Sequence, residues 1–155
     1  MTTYNPALQS SFRLEVPGTS SLNYFIQRAE LPSLNIGSIP SPYRNNQLNL
    51  PDNKVQYDPL NMDFIVSEDY QNHSELRLWM HKLAVSQDTM PSDLRDITLH
   101  LTTSTNNTGL AVRFYSAFPM MIGGIPLDST STDETPVICT CSFSYAYYDV
   151  VRIDP

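Results

Sequence analysis

Charge is in short supply in this 155-residue sequence: Asp, Glu, Lys and Arg make up 16%, where soluble domains carry about a quarter. Only 9 residues are basic against 16 acidic, for a formal charge of −7. Counterion release onto phosphate cannot drive binding under those conditions, which argues against a specific DNA reader. Surface cover has to come from Ser, Thr, Asn, Gln and Tyr, which cost less than Lys or Glu to bury in a subunit contact. No apolar run approaches the ~18 residues of a membrane span. Met1 to Asn5 opens without a basic stretch followed by an apolar one. The expectation is a chain made and folded in the cytoplasm of the cell that makes it, with no membrane anchor.

Cysteine is nearly absent too. Cys139 and Cys141 are one residue apart, so a strand sends both side chains to one face, where a disulfide would be strained. Reduced, buried thiols are expected. A structural metal site needs about four ligands, and no second pair accompanies these two. His73, His81 and His100 are scattered, and His73 and His81 lack the i, i+4 spacing that would point both at one metal. Gly-x-Ser-x-Gly, a phosphate-cradling loop and a supported Ser-His-Asp order are all missing, so nucleophilic catalysis has no site. Glu68-Asp69 is the one adjacent acidic pair near an element end, and the dipole of a following helix accounts for it. The sequence therefore offers no catalytic, cofactor-binding or metal residues, and no enzyme, cofactor or metal is expected.

What is present is β pattern. Ser11 to Val16 alternates polar and apolar before Pro17-Gly18, and Leu22 to Arg28 resumes the alternation, which predicts an opening hairpin. Ser33 to Asp58 holds Pro40, Pro42 and Pro51 among many Asn, with Pro32 and Pro59 flanking it. Regular structure should be scarce there apart from a short strand near Gln47 to Leu50. So long a connection in a small domain reads as an extended arm reaching a neighbour. Asn61 to Ser67 predicts a strand with Met62, Phe64 and Val66 on one face. Leu76, Trp79, Met80 and Leu83 then fall at i, i+3, i+4 and i+7, the stripe of one amphipathic helix over Asn72–Val85. Asp69 or Asn72 would cap it, the latter in a capping box with Glu75, and Ser86 to Ser92 would end it.

Three strands follow: Asp96–Thr103, Leu110–Phe118 and Val137–Val151, the last with Cys139, Cys141, Phe143, Tyr145 and Tyr147 on one face. Asn106 to Gly109 suits a hairpin turn, and Asp128 to Pro136 an acidic loop. Trp79, the sole tryptophan, should anchor helix to sheet. The expected fold is mainly β with one helix, a small β-sandwich or barrel forming a single domain over 1–155 with its Pro-rich arm at about 33–58.

The order of these elements resembles the tail tube protein family of contractile-tailed bacteriophages. The likeness runs from Phe12 to Arg152 through Phe25-Ile26-Gln27-Arg28-Ala29-Glu30-Leu31-Pro32, the arm, Asp58-Pro59-Leu60, Ser67-Glu68-Asp69 and the helix with Trp79-Met80. It continues through Asp96 to Leu101, Arg113 to Pro119 and Cys141 to Tyr147. The resemblance implies hexameric rings whose inner strands join into one barrel around a channel, with the arm clasping an adjacent subunit or ring. It implies a virion structural protein, either the tail tube or its first rings at the baseplate, and a conduit for DNA ejection. The implied partners are further copies, other tube or baseplate hub proteins, sheath and tape-measure proteins, with DNA only as non-specific cargo. A tube protein of a phage-derived contractile injection system fits the same pattern. From a different class, a monomeric small-ligand-binding β-barrel also shows alternating strands with one helix.

Overall fold

The computed structural model describes residues 6–85, 93–103, 105 and 107–152. The expected helix stop over 86–92, Asn106 of the expected turn and the opening Met1 to Asn5 lie outside them. Nine strands and two helices are present among the described residues.

The backbone of the fold is one long hairpin. β7 (Thr108–Ile122) is paired along one edge by β8 (Ile138–Ser144) and then β9 (Tyr147–Arg152), which lie end to end. Val137–Val151 was expected as one strand, but it breaks at Tyr145-Ala146, where the Ala146 amide donates to the Tyr115 carbonyl at 2.9 Å. The break resets the face of each later residue. Tyr148, expected to face away from Tyr145, packs on the core, while Tyr147 turns outward and stacks on Tyr115 at 4.7 Å. β7 bends opposite the break: Ser116 sits at φ 54, inside a register shift against β6 (Arg95–Thr102), and its amide donates to the Asp96 carboxylate at 3.1 Å.

Each half of the hairpin is widened to four strands. β6 adds to the first half of β7, and β1 (Phe12–Glu15) adds to β6. β5 (Leu60–Ile65) adds to β8, and β2 (Ile26–Glu30) adds to β5. All pairings are antiparallel. The layers β1-β6-β7-β9 and β7-β8-β5-β2 enclose a core of Leu14, Leu60, Met62, Phe64, Ile97, Leu99, Val112, Phe114, Cys139, Cys141 and Phe143. These are the alternating apolar positions of the strands. Side chains fill the space that a ligand-binding barrel would need to keep open.

The opening hairpin does not form. β1 pairs with β6, and Ser20–Phe25 is a short helix, α1, giving two helices where one was expected. Asn23 is the reason: its side-chain carbonyl accepts the Val16 amide at 2.8 Å and its amide donates to the Val16 carbonyl at 3.1 Å. One side chain thus satisfies both backbone groups that a neighbouring strand would have taken. Pro17-Gly18 makes the turn, with Gly18 at φ 78 and its would-be Cβ only 3.0 Å from the Arg95 guanidinium, a conformation that favours glycine.

The second helix, α2, spans Gln71–Val85 and buries Leu76 and Trp79. Asp69 accepts the Gln71 amide at 3.2 Å and the Ser67 hydroxyl at 2.7 Å. The hydroxyl, followed by the amide, holds its carboxyl below the usual range. Asn72 lies inside the first turn rather than ahead of it, and its fully buried side chain does two jobs: its oxygen accepts the His73 amide at 2.8 Å and the Ser67 amide at 3.2 Å, and its amide donates to the Ile65 carbonyl at 2.7 Å, tying the helix to the preceding strand.

Trp79 is the anchor between helix and sheet. Its ring lies 5.9 Å from that of Phe143, its indole N–H donates to the Asp93 carbonyl at 2.8 Å, and the Arg95 guanidinium stands 4.2 Å from its centroid. Trp79→Ala should cost about 3–5 kcal/mol, a large share of a stability of roughly 5–15 kcal/mol. Thermal unfolding reads this directly, and an unchanged melting temperature would remove Trp79 from the core. The two thiols are free and buried, and burial pushes both above the ordinary cysteine range. Native protein should therefore resist alkylation at Cys139 and Cys141 until it unfolds, as mass spectrometry after iodoacetamide treatment would show.

Candidate assembly surface

The Pro-rich stretch from 33 to 58 is far more regular than its composition suggests. Leu34–Tyr43 and Asn46–Tyr57 form strands β3 and β4, a two-stranded ribbon outside the main sheet. Its tip is a two-residue turn at Arg44-Asn45, with Arg44 at φ 52. The prolines fit because each strand of a ribbon has one unpaired edge, so an absent N–H removes nothing from the ladder. Pro40 and Pro42, opposite Asn49 and Gln47, are two residues apart and so send their nitrogens the same way.

The ribbon contributes nothing to the buried core of the described residues. It nevertheless carries Leu34, Ile36, Ile39, Tyr43, Leu48, Leu50 and Val55, all exposed. Opposed residues share a face, so Leu34 with Tyr57 and Ile36 with Val55 form one apolar pair-row at the base. Past the register shift after Ile36, Ile39 faces Leu50 and Ser41 faces Leu48. An odd step separates Ile36 from Ile39, so the apolar row changes sides between base and tip.

The base row has a reason to face the body. Tyr57 sets its ring 5.9 Å from Tyr145 and 5.6 Å from Tyr148, and both of those meet Phe114. The Tyr145 hydroxyl donates to the Asp58 carbonyl at 2.7 Å, the Asp58 amide donates to the Ser33 carbonyl, and the Ser33 hydroxyl donates to the Asp58 carboxylate. Burial first, then the nearby Tyr148, pushes the Tyr145 phenol up to about 12, so it remains a donor across the neutral range. The ribbon leaves the body at a fixed angle. Only Tyr57 of the base row gains ring contacts this way: Leu34, Ile36 and Val55 stay as exposed as Ile39, Leu48 and Leu50 of the tip row.

Open strand edges form the second feature. Among the described residues β1 pairs only with β6 and β9 only with β7, so the layer β1-β6-β7-β9 ends in unpaired strands on both sides. β9 is exposed at Tyr147, Val150 and Val151. Such an edge invites pairing with another chain. In the other layer β2 also ends unpaired among the described residues, but the opposite edge is blunted, since Pro119 lies in the part of β7 that forms it and withholds a backbone donor.

No chemistry gathers elsewhere. Among the described residues there is no group of three or more His, Cys, Asp or Glu able to hold a metal. His73 and His81 ride on α2, whereas His100 is on β6, 3.4 Å from Glu15. Glu68-Asp69 precedes α2, where Asp69 holds the Gln71 amide. The clefts are shallow surface features, such as one of 310 Å³ between Arg28, Asn61 and Thr140. Sequence reasoning missed the open edges, because which strand ends a layer depends on pairing. No helix is long and apolar enough to cross a membrane among the described residues.

Comparison with known proteins places this surface in context. The phage tail tube protein family matches residues 2–151. The tail tube terminator protein of Enterobacteria phage T4 is 22% identical over 160 residues, which cover 96% of this chain and 91% of that protein. A chain in the cryo-EM structure of the anti-feeding prophage tube-terminating cap superposes with a TM-score of 0.74 at 14% identity, covering 99% of this chain and 95% of its own. A chain in the anti-feeding prophage baseplate gives 0.72 at 16% identity, covering 97% and 98%. The fold is thus shared over nearly the whole length, and this chain belongs to the phage tail tube protein family.

Proposed function

We propose that this protein is a non-enzymatic structural subunit that closes into a hexameric ring and forms the terminating ring of the tail tube in a contractile tail. The observation that carries this reading is the match over nearly the full chain to a protein named for tube termination, supported by the unpaired strands β1 and β9 at the two sides of one layer. Two open edges on one layer allow head-to-tail closure, which uses the edges up. The ribbon, whose tip row of Ile39, Leu48 and Leu50 is uncovered, reaches beyond the ring to an adjacent subunit or ring. Its prolines and fixed base lower the entropy lost on docking. A channel formed this way passes DNA without holding it, since a chain of net charge −7 offers phosphate little affinity.

A second reading, a ring at the baseplate or in the body of the tube, is favoured by the equally good superposition on the baseplate chain. The same ring would serve a phage-derived injection system with protein as its cargo. Sheath, hub and tape-measure proteins are the partners either position supplies.

Purified protein should give six-membered rings in negative stain, with light scattering showing single rings or short stacks. Long self-formed tubes would replace termination with the tube-body reading, and a persistent monomer would overturn ring formation. In the native particle, a gold-labelled antibody should mark one end of the tube only. Replacing Gly37 to Asn49 with a short Gly-Ser linker should leave the melting temperature at the parent value, because no ribbon residue is in the core, with far-UV circular dichroism losing only the ribbon's own strand signal, while abolishing docking onto the adjoining ring. Normal docking of the shortened chain would refute the clasp.

A further inference from the structure

We propose that adjacent copies join through β9 of one and β1 of the next, in a register that sets Asp149 opposite Arg13 of the neighbour. The inference rests on the ring reading and specifies which edges meet and what aligns them.

Strand direction supplies the first argument. β1, β6, β7 and β9 alternate in direction, each antiparallel to its neighbour. With an even number of strands, β9 of one copy meets β1 of the next antiparallel as well. Any number of copies then closes with a uniform ladder, which head-to-tail joining of a three- or five-stranded layer would not permit. The alternative layer is also four strands wide, but Pro119 breaks the donor row along its β7 edge. β1 and β9 contain no proline.

Charge supplies the register. Opposed residues place Arg13, His100 and Ala111 on the outward face, together with Glu15, Thr98, Arg113 and Asp149. The outward residues at the two open edges are therefore Arg13 and Glu15 on β1 and Tyr147, Asp149 and Val151 on β9. Antiparallel pairing that keeps this face outward allows steps of two. One register opposes Glu15 to Asp149, two like charges, and leaves Arg13 against Val151. The next opposes Arg13 to Asp149 and Glu15 to Tyr147, which places a cation against an anion and repels nothing. Asp149 would then lie between Arg113 of its own chain and Arg13 of the next. The core-facing side of the same strands brings Phe12 against Val150, an exposed valine that the join would cover.

The test is a charge swap on the full chain. Arg13→Asp and Asp149→Arg should each weaken ring formation by about fivefold per contact, the size of a like-charge cross-strand pair, and the double swap should restore it. Melting temperature of the monomer, measured at a concentration below assembly, separates folding from joining. Arg13→Ala is the milder variant, expected to melt with the parent while assembling less readily. Parent-like rings from all single variants, or weakened rings that the double swap does not rescue, would overturn the Arg13–Asp149 register and leave the ring reading intact. Absence of rings from the parent, alone and with tail extract, would overturn both.

Discussion

The bend in the β7 hairpin is the constraint on which the other features depend. A straight hairpin of that length would form one wide flat sheet with no enclosed core. Ser116 adopts a left-handed conformation that costs of order 1–3 kcal/mol for a residue with a side chain. The Asp96 carboxylate that receives its amide offsets part of that cost. Across from it, Tyr145-Ala146 leaves the ladder just where the two partner strands change layer. The hairpin therefore belongs to both layers, and the core between them fills with its inward residues Val112, Phe114, Cys139, Cys141 and Phe143. Arg95 and Asp96 link this corner to the helix, since Arg95 also covers the Trp79 ring and donates to the Pro17 carbonyl.

The same corner orients the ribbon. Tyr145 and Tyr148 flank the break, and their rings form the seat on which Tyr57 rests. Had the last strand continued without interruption, Tyr147 rather than Tyr148 would have faced Phe114. A local departure from strand geometry thus sets both the closure of the core and the direction of an element that contributes nothing to that core. Folding and assembly are joined through three tyrosines.

How much of this was legible in the sequence follows from the range of each interaction. Helix α2 and the inward residues of the central strands were readable, because periodicity records burial locally and Leu76, Trp79, Phe64 and Phe143 obey it. The opening hairpin was misread because the alternation of Leu22 to Arg28 is real, but Asn23 captures the backbone of Val16 and turns the chain first. The ribbon was read as irregular because prolines argue against central strands, and nothing local reveals that both strands keep a free edge. Its two strands run from Leu34 to Tyr57, between Pro32 and Pro59. The open edges of β1 and β9 were invisible: Phe12-Arg13-Leu14-Glu15 looks the same whether it has one neighbour or two.

Scarcity of charge takes on a definite meaning in this architecture. A monomer that exposes Ile36, Ile39, Leu48, Val150 and Val151 on strands would ordinarily protect them with lysines or inward-pointing charges. Here protection comes from limited valence. The edges are few, and their prolines, at 40 and 42 on the ribbon and at 119 on β7, fall where uncontrolled pairing would otherwise spread. Among the described residues, what stays unblocked is the complementary pair β1 and β9, the outer edge of β2 and the ribbon tip. A surface of Ser, Thr, Asn and Tyr can be buried against a copy at low desolvation cost, so in the proposed ring the features that look like aggregation hazards in isolation would be the ones that limit association to a defined geometry.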